Sequence, residues 1–226
     1  QVETRSEAGC TSGASASAAV VCGNALEVDW ALAFPGPDFD YVFGNPPFVG
    51  KHLRSASQQK DMVRIFGRGL GALDLCAGWV RLAAEYTAGK RTRCAFVLTS
   101  SLSQGEQVSL LWSPLGVGER VHIHFAHRSF VWESAGPAGA QVHCVIVGFG
   151  GQRSQGARLF EAGPGGAPRE ERVPDIHPYL LAGRVRPIEA REGPLSDVPR
   201  ACYGSKPVDG GALLVSGVER AELLES

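Results

Sequence analysis

Short apolar runs alternate with amphipathic stretches along the middle of the chain, and this pattern predicts an open α/β sheet. Three runs have the length of a strand, at residues 39–44, 93–98 and 142–149. The run at 93–98 is almost continuously apolar, which is typical of a strand buried on both faces of a parallel sheet. Residues 121–125 alternate between polar and apolar side chains and predict a half-exposed strand.

Three stretches between these runs carry helical patterns. Residues 55–66 predict a helix whose N-cap is Ser55 or Ser57. Apolar residues in 73–86 recur on one helical face, and a third helix is expected from Gln104 to about residue 115. Strands alternating with helices in this order indicate an α/β sheet. The last two strands, joined by a loop of hairpin length, are expected to be antiparallel.

Polar residues follow three of the apolar runs. Asn24 ends a brief run that begins at Val20 and that we interpret as a short parallel strand. Asn45 follows the run at 39–44, and residues 99–101 (Thr-Ser-Ser) follow the run at 93–98. Ligands of open α/β sheets bind at the carboxyl ends of the strands. The sequence therefore predicts a binding site where these ends meet.

A proline-rich turn of unusual composition follows the first of these strands, and we call it the proline corner: Asn45, Pro46, Pro47 and Phe48. Proline cannot donate to a ladder, and the residue before a proline is forced into an extended conformation. The corner should present an amide, a free carbonyl at Pro46 and the ring of Phe48. Two acceptors beside a flat ring suit a planar group carrying NH₂, although a structural turn explains the same four residues.

Composition sets the class of protein and its division along the chain. Of 226 residues, 44% are hydrophobic and 20% charged, and the net charge of -1 neither supports nor excludes a nucleic-acid partner. Residues 1–20 are rich in Ser, Ala and Gly and predict a disordered lead-in. Residues 21–150 hold the strand and helix patterns. Residues 151–226, with a Gly/Pro-rich stretch at 163–168, predict a linker and the start of a further domain.

Cysteine and histidine positions bear on the compartment and on metal binding. None of the six cysteines forms a C-x₂-C pair, and Cys94 and Cys144 lie in apolar runs where we expect buried free thiols. A reducing, cytoplasmic compartment is predicted; no signal peptide or membrane-spanning run is recognised. His122, His124 and His127 alternate as on an exposed strand face, and no metal site is predicted.

The proline corner matches motif IV of the adenine-specific DNA methyltransferases that methylate an amino group. Longer runs at 39–51, 103–107, 124–132 and 143–149 resemble the large restriction-modification polypeptides that combine nuclease, methyltransferase and target recognition in one chain. The resemblance covers about residues 22–226. It implies the C-terminal part of a Rossmann-like methyltransferase sheet with an antiparallel final strand, and residues 151–226 then lead into a target-recognition region.

The resemblance also implies roles for individual residues. Asn45 and Pro46 would accept the two hydrogens of the 6-amino group of an adenine flipped out of double-stranded DNA. Phe48 would stack on that base, and so would Phe130, which we expect on the loop after a strand; Trp132 is the second choice. The methyl donor would be S-adenosyl-L-methionine.

Cofactor contacts are implied for Asn24 and Asp74. Asp74 also fits an acidic residue placed at a helix N-terminus by the helix dipole. Trp79 and Phe96 are interpreted as core residues.

One feature of the family is missing from the sequence. The glycine-rich cofactor loop is expected well upstream of Asn24, and the glycines there, Gly9 and Gly13, follow no strand. We therefore expect a fragment of a catalytic domain, with target recognition downstream in the parent protein, while a nuclease fused upstream is left open. Two alternatives stay open: a non-catalytic DNA-binding or assembly piece, and a methyltransferase acting on RNA or on a protein glutamine.

Overall fold

A computed structural model divides the chain into two compact units, Gln1–Glu189 and Ala190–Ser226. All the helices and strands below belong to the first unit. The structure describes residues 4–6, 19–34, 39–68, 72–133, 141–163, 167–185, 193, 196–198, 220 and 224.

Between residues 39 and 150, strands and helices follow one another in the predicted order, and further elements lie on both sides of this segment. The strands are β1 (Thr4–Ser6), β2 (Ala19–Val21), β3 (Tyr41–Gly44), β4 (Arg93–Thr99), β5 (His122–Glu133), β6 (Gln141–Gly150), β7 (Ala157–Ala162), β8 (Pro168–Val173), β9 (Ile176–His177) and β10 (Leu181–Ala182). The helices are α1 (Trp30–Ala33), α2 (Ala56–Phe66), α3 (Ala77–Tyr86) and α4 (Gly105–Leu115), with 3₁₀ turns at Lys51–Leu53 and Ser100–Ser103.

Six strands form the main sheet in the order β3-β4-β6-β5-β7-β8. β3 pairs parallel with β4, and β5 pairs parallel with β7, whereas the other three pairs are antiparallel. The carboxyl ends of β3, β4 and β5 therefore lie at the same edge. The predicted α/β class and the antiparallel pair β5–β6 are confirmed.

The sheet does not stop at residue 150. β7 and β8 extend it within the segment that the sequence predicts to be a linker. The division of the chain at residues 20 and 150 stays a prediction.

The predicted parallel strand before Asn24 is wrong. Ala19–Val21 pairs antiparallel with Thr4–Ser6 in a separate two-stranded sheet. Residues 1–3 and 7–18 lie outside the described ranges, and the disordered lead-in predicted for residues 1–20 stays a prediction. The partner strand consists of polar residues, so an apolar pattern could not reveal it.

Local sequence signals mark the start of α2 and the end of α4. α2 has a capping box in which the Gln58 amide donates to the Ser55 hydroxyl at 3.2 Å and the Ser55 amide to the Gln58 side chain at 2.9 Å. α3 begins at Ala77 rather than at residue 73, because residues 73–76 form a buried turn. α4 ends at Leu115, and the following residue, Gly116, caps it in the left-handed conformation with φ 68°.

α3 and α4 cover one face of the sheet and build the core there. Trp112 of α4 is 1% exposed, meets the ring of Phe149 edge-on at 6.0 Å, and donates its indole N–H to the Leu102 carbonyl at 2.8 Å. On β3, by contrast, Tyr41 and Phe43 are 66% and 80% exposed.

The predicted buried free thiols are confirmed for Cys94 and Cys144. Burial raises the pKa of Cys94 to about 12 and, as the largest of several causes, that of Cys76 to about 11. Both thiols are therefore un-ionised at neutral pH and serve as packing groups. None of the helices in the described ranges has the length and apolar composition needed to cross a bilayer.

Candidate active site

The proline corner lies directly after β3, at the sheet edge where β3, β4 and β5 end. Pro46 is buried, Phe48 is half-buried, and Asn45 and Pro47 are exposed. Among the described residues, no group forms a hydrogen bond with the side-chain amide of Asn45. The side chain predicted to bind a ligand therefore keeps its donor and acceptor atoms available.

The corner is fixed on both sides by the backbone. β3 pairs in register with β4 up to Gly44, which lies opposite Phe96. Beyond the corner, the Leu75 amide donates to the Val49 carbonyl at 2.9 Å, and a 3₁₀ turn begins at Lys51. Because proline also fixes φ at two positions, Asn45 is presented from a stiff segment.

A cleft of about 600 Å³ runs from the corner along β3. This volume is in the range of sites that hold a drug-sized ligand. It contains no charged side chain among the lining residues that the structure describes. They are Val21, Gly23, Ala25, Val28, Trp30, Phe34, Phe39, Tyr41, Val42, Phe43, Gly44, Asn45, Pro46, Pro47, Trp79, Tyr86 and Phe96.

Aromatic rings form one wall of the cleft. Trp30 donates its indole N–H to the Ala25 carbonyl at 2.8 Å and meets Tyr86 edge-on at 6.0 Å. Trp79 and Phe96 pack against the core as predicted, and both also line the cleft. Sequence reasoning missed this role for Trp79, although its position off the apolar face of residues 73–86 was a usable signal.

Asn24 is exposed and belongs to the loop that borders the cleft. Its side-chain nitrogen donates to Asp61 at 2.9 Å, and its oxygen accepts from the Leu26 amide at 3.1 Å. Leu26 packs so closely on α3 that a Cβ at Gly78 would lie 2.8 Å from it. The residues on either side of Asn24 line the cleft, whereas the side chain of Asn24 stabilises the loop. The cofactor contact predicted for Asn24 stays a prediction.

Asp74 is buried beside the corner and outside the cleft lining. Its carboxylate accepts from the Thr99 hydroxyl at 2.7 Å and from the Gln107 amide at 3.5 Å. Cys76, rather than Asp74, occupies the N-cap of α3. The hydrogen bonds of Asp74 in the structure are with protein groups. The cofactor contact predicted for this residue stays a prediction.

The loop position predicted for Phe130 is wrong. Phe130 lies within β5, which continues to Glu133. The prediction failed because the register of β5 shifts between His127 and Phe130, which interrupts the alternation read from the sequence. The rings of His127 and Trp132 lie 5.1 Å and 6.3 Å from that of Phe130. The three form an aromatic group near the end of the strand.

The sheet register places Phe130 at the edge that carries the corner. Phe130 pairs with Cys144, and Cys144 pairs with Thr99 at the end of β4. Two strand spacings separate Phe130 from Thr99, which is roughly 10 Å across the sheet. Phe48 and Phe130 thus belong to the same edge.

A family model described as "MmeI, DNA-methyltransferase domain" matches residues 11–161, more than half of the chain. The chain belongs to the MmeI DNA-methyltransferase family. The resemblance to restriction-modification DNA methyltransferases that the sequence predicts is confirmed.

Two relatives of this MmeI-family chain show how much of a protein it spans. It is 35% identical over 207 residues to "DNA methyltransferase A" of Bacillus subtilis (strain 168), covering 90% of this chain and 23% of the relative. It is 37% identical, with a TM-score of 0.78, to the Type IIL restriction-modification enzyme MmeI solved in complex with DNA. That match covers 90% of this chain and 28% of the MmeI chain. The chain spans about a quarter of the length of these relatives.

The histidines of the MmeI-family chain make separate contacts. A ring nitrogen of His124 donates to the Gln152 carbonyl at 2.7 Å, and burial is the largest cause of its lowered pKa. His127 contacts the Arg128 carbonyl through Nδ1 at 3.0 Å. In the part of the chain that the structure describes, no three His, Cys, Asp or Glu residues are grouped to hold a metal ion.

Proposed function

We propose that this chain methylates the 6-amino group of adenine in DNA, with S-adenosyl-L-methionine as methyl donor, as part of a restriction-modification system. The observation that carries the proposal is the proline corner. An exposed Asn45 amide without a described hydrogen-bonding partner lies at the mouth of a ligand-sized cleft, in a chain of the MmeI family.

The corner supplies orientation and electrostatic assistance. The amine of adenine is a weak nucleophile because its lone pair is delocalised into the ring. Asn45 Oδ1 and the Pro46 carbonyl each accept one amine hydrogen, which turns the lone pair out of the ring plane toward the methyl group. S-adenosyl-L-methionine would supply an electrophilic methyl group, with the electron pair of its carbon–sulfur bond left on sulfur. The methylated amine would release one proton to solvent water, because Asn45 and Pro46 offer hydrogen-bond acceptors and no base.

The cleft suits the nucleoside part of the donor. The rings of Trp79 and Trp30 offer stacking surfaces for an adenine, and the apolar lining excludes water around a methyl group. The carboxylate and ammonium of the methionine part find no charged partner among the described lining residues. The residues present therefore fit the adenosyl part, which Trp79 and Trp30 would hold.

The target adenine must leave the duplex to reach the corner. Phe48 is half-buried within the corner, and Phe130 belongs to the same sheet edge. We propose that these two rings stack on the flipped base while Asn45 and Pro46 bind its amine. Residues 151–226 would then connect this site to a target-recognition region.

Transfer of labelled methyl groups identifies the acceptor. The longest polypeptide that contains this sequence is incubated with methyl-labelled S-adenosylmethionine and with DNA, RNA or protein in parallel. We expect label on DNA alone. Label on RNA or on protein glutamine would replace the DNA substrate with one of the alternative methyltransferase functions, and no transfer to any acceptor would support a non-catalytic piece.

Trp79→Leu is expected to weaken cofactor binding with little change in folding. Leucine keeps apolar volume but removes the flat ring, and stacking of a base on an aromatic ring contributes about 1–3 kcal/mol. Calorimetric titration with S-adenosylmethionine should show a Kd increase of roughly 5- to 150-fold. Trp132→Leu, at a tryptophan that is 41% exposed and not part of the cleft lining, is the matched control. Equal Kd values for the two variants would remove Trp79 from the cofactor site.

A further inference from the structure

Asp74 lies where three segments of the fold meet. Its carboxylate accepts a hydrogen bond from Thr99, the last residue of β4, at 2.7 Å. Its backbone amide donates to the side-chain oxygen of Gln107 in α4 at 3.1 Å, while the Gln107 nitrogen lies 3.5 Å from the carboxylate. With 8% exposure, this acid depends on protein donors in place of water.

The same residue adjoins the proline corner. Leu75, the next residue, donates its amide to the Val49 carbonyl at 2.9 Å, directly after Phe48. A Cβ built at Gly50 would lie 3.9 Å from Asp74 Oδ1, so the backbone of the corner segment packs against the carboxylate. Asp74 thereby links the segment that follows Asn45 to the end of β4.

These contacts favour one of the roles open to Asp74. An acid that capped α3 would use its oxygens on the first amides of that helix, but the N-cap is Cys76 and the carboxylate bonds to Thr99 and Gln107. Asp74 also does not line the cleft beside the corner. The geometry favours a role in which Asp74 fixes the segment after the corner, the end of β4 and α4 relative to one another.

We propose that Asp74 is a positioning residue that, through Thr99 and Gln107, fixes the proline corner against the carboxyl end of β4. This inference rests on the proposed methyltransferase function, because the corner matters for rate only if Asn45 binds the amine. A displacement of about 1 Å at a reacting group can reduce a rate about 100-fold. Loss of the Asp74 carboxylate should therefore lower kcat without weakening cofactor binding.

The variants Asp74→Asn and Thr99→Val test the proposal in the longest polypeptide that contains the sequence. We expect kcat to fall about 10- to 100-fold in each, with the Kd for S-adenosylmethionine unchanged. The two substitutions break different contacts of one side chain, because an asparagine at 74 keeps an acceptor for the Thr99 hydroxyl but loses the contact with the Gln107 amide. The double variant should therefore be at least as slow as the slower single variant. Wild-type kcat in Asp74→Asn would overturn the proposal.

Rescue separates positioning from general damage. In the double variant Asp74→Asn/Gln107→Glu, the amide at 74 can donate to a carboxylate at 107, which restores the contact with donor and acceptor exchanged. We expect this variant to recover most of the lost kcat. A double variant as slow as Asp74→Asn would count against the link between these two residues.

Hydrogen exchange tests the link independently of activity. Exchange of the Leu75 amide should accelerate in Asp74→Asn and stay as in the wild type in Asp61→Asn, which changes an acid of similar burial at 4% exposure. Equal exchange in both variants would overturn the proposal. If the wild-type polypeptide transfers no methyl group, the proposed function fails, while this comparison still decides whether Asp74 fixes the corner.

Discussion

Asn45→Ala is expected to reduce methyl transfer to DNA at least about 100-fold, the size of effect seen when one preorganised polar contact to a reacting group is removed. Alanine removes the acceptor that turns the lone pair of the adenine amine toward the methyl group. Because Asn45 is exposed and forms no hydrogen bond within the described residues, the melting temperature should stay unchanged. Steady-state kinetics and thermal unfolding of the two proteins check both parts.

The Kd for S-adenosylmethionine should also be little affected by Asn45→Ala, because the aromatic wall of the cleft stays in place. The loss is therefore expected in kcat rather than in cofactor binding. Activity within a few-fold of the wild type would remove Asn45 from the proposed role. A large fall in melting temperature would show instead that the side chain stabilises the fold.

Trp112→Ala is expected to have the largest effect on stability. The side chain is 1% exposed, contacts Phe149 and donates its indole N–H to the Leu102 carbonyl, so alanine leaves a cavity and an unpaired carbonyl. Truncation of a buried tryptophan costs about 3–5 kcal/mol, a large part of the stability of an ordinary domain. Urea unfolding should show a midpoint that falls accordingly.

Trp132→Ala is the control for this measurement. This tryptophan is 41% exposed at the end of β5, and its removal should change the free energy of unfolding by less than about 1 kcal/mol. Similar losses for Trp112→Ala and Trp132→Ala would contradict the assignment of the core to the face covered by α3 and α4.

The parts of the site that could be predicted from the sequence depend on neighbours along the chain. Two prolines after an apolar run place the corner at a strand end, because proline ends a ladder wherever it occurs. The capping box of α2 joins residues three apart, so its start could also be predicted. In each case the physical cause lies within a few residues.

The parts that could not be predicted depend on contacts between distant segments. Asp74 bonds to residues 25 and 33 positions away, and no periodicity indicates such partners. Trp79 faces a cleft because β3 and the loop near Ala25 border the same space. The loop predicted at Phe130 is wrong because a register shift in β5 interrupts the alternation that marks a strand.

Analysis of the methylated nucleoside tests the central claim most directly. DNA incubated with S-adenosylmethionine and the longest polypeptide that contains this sequence is digested to nucleosides and separated by mass spectrometry. We expect the deoxynucleoside of N6-methyladenine with the wild-type protein and at most about a hundredth as much with Asn45→Ala. Methylation of cytosine instead of adenine, or equal amounts of N6-methyladenine from both proteins, would contradict it.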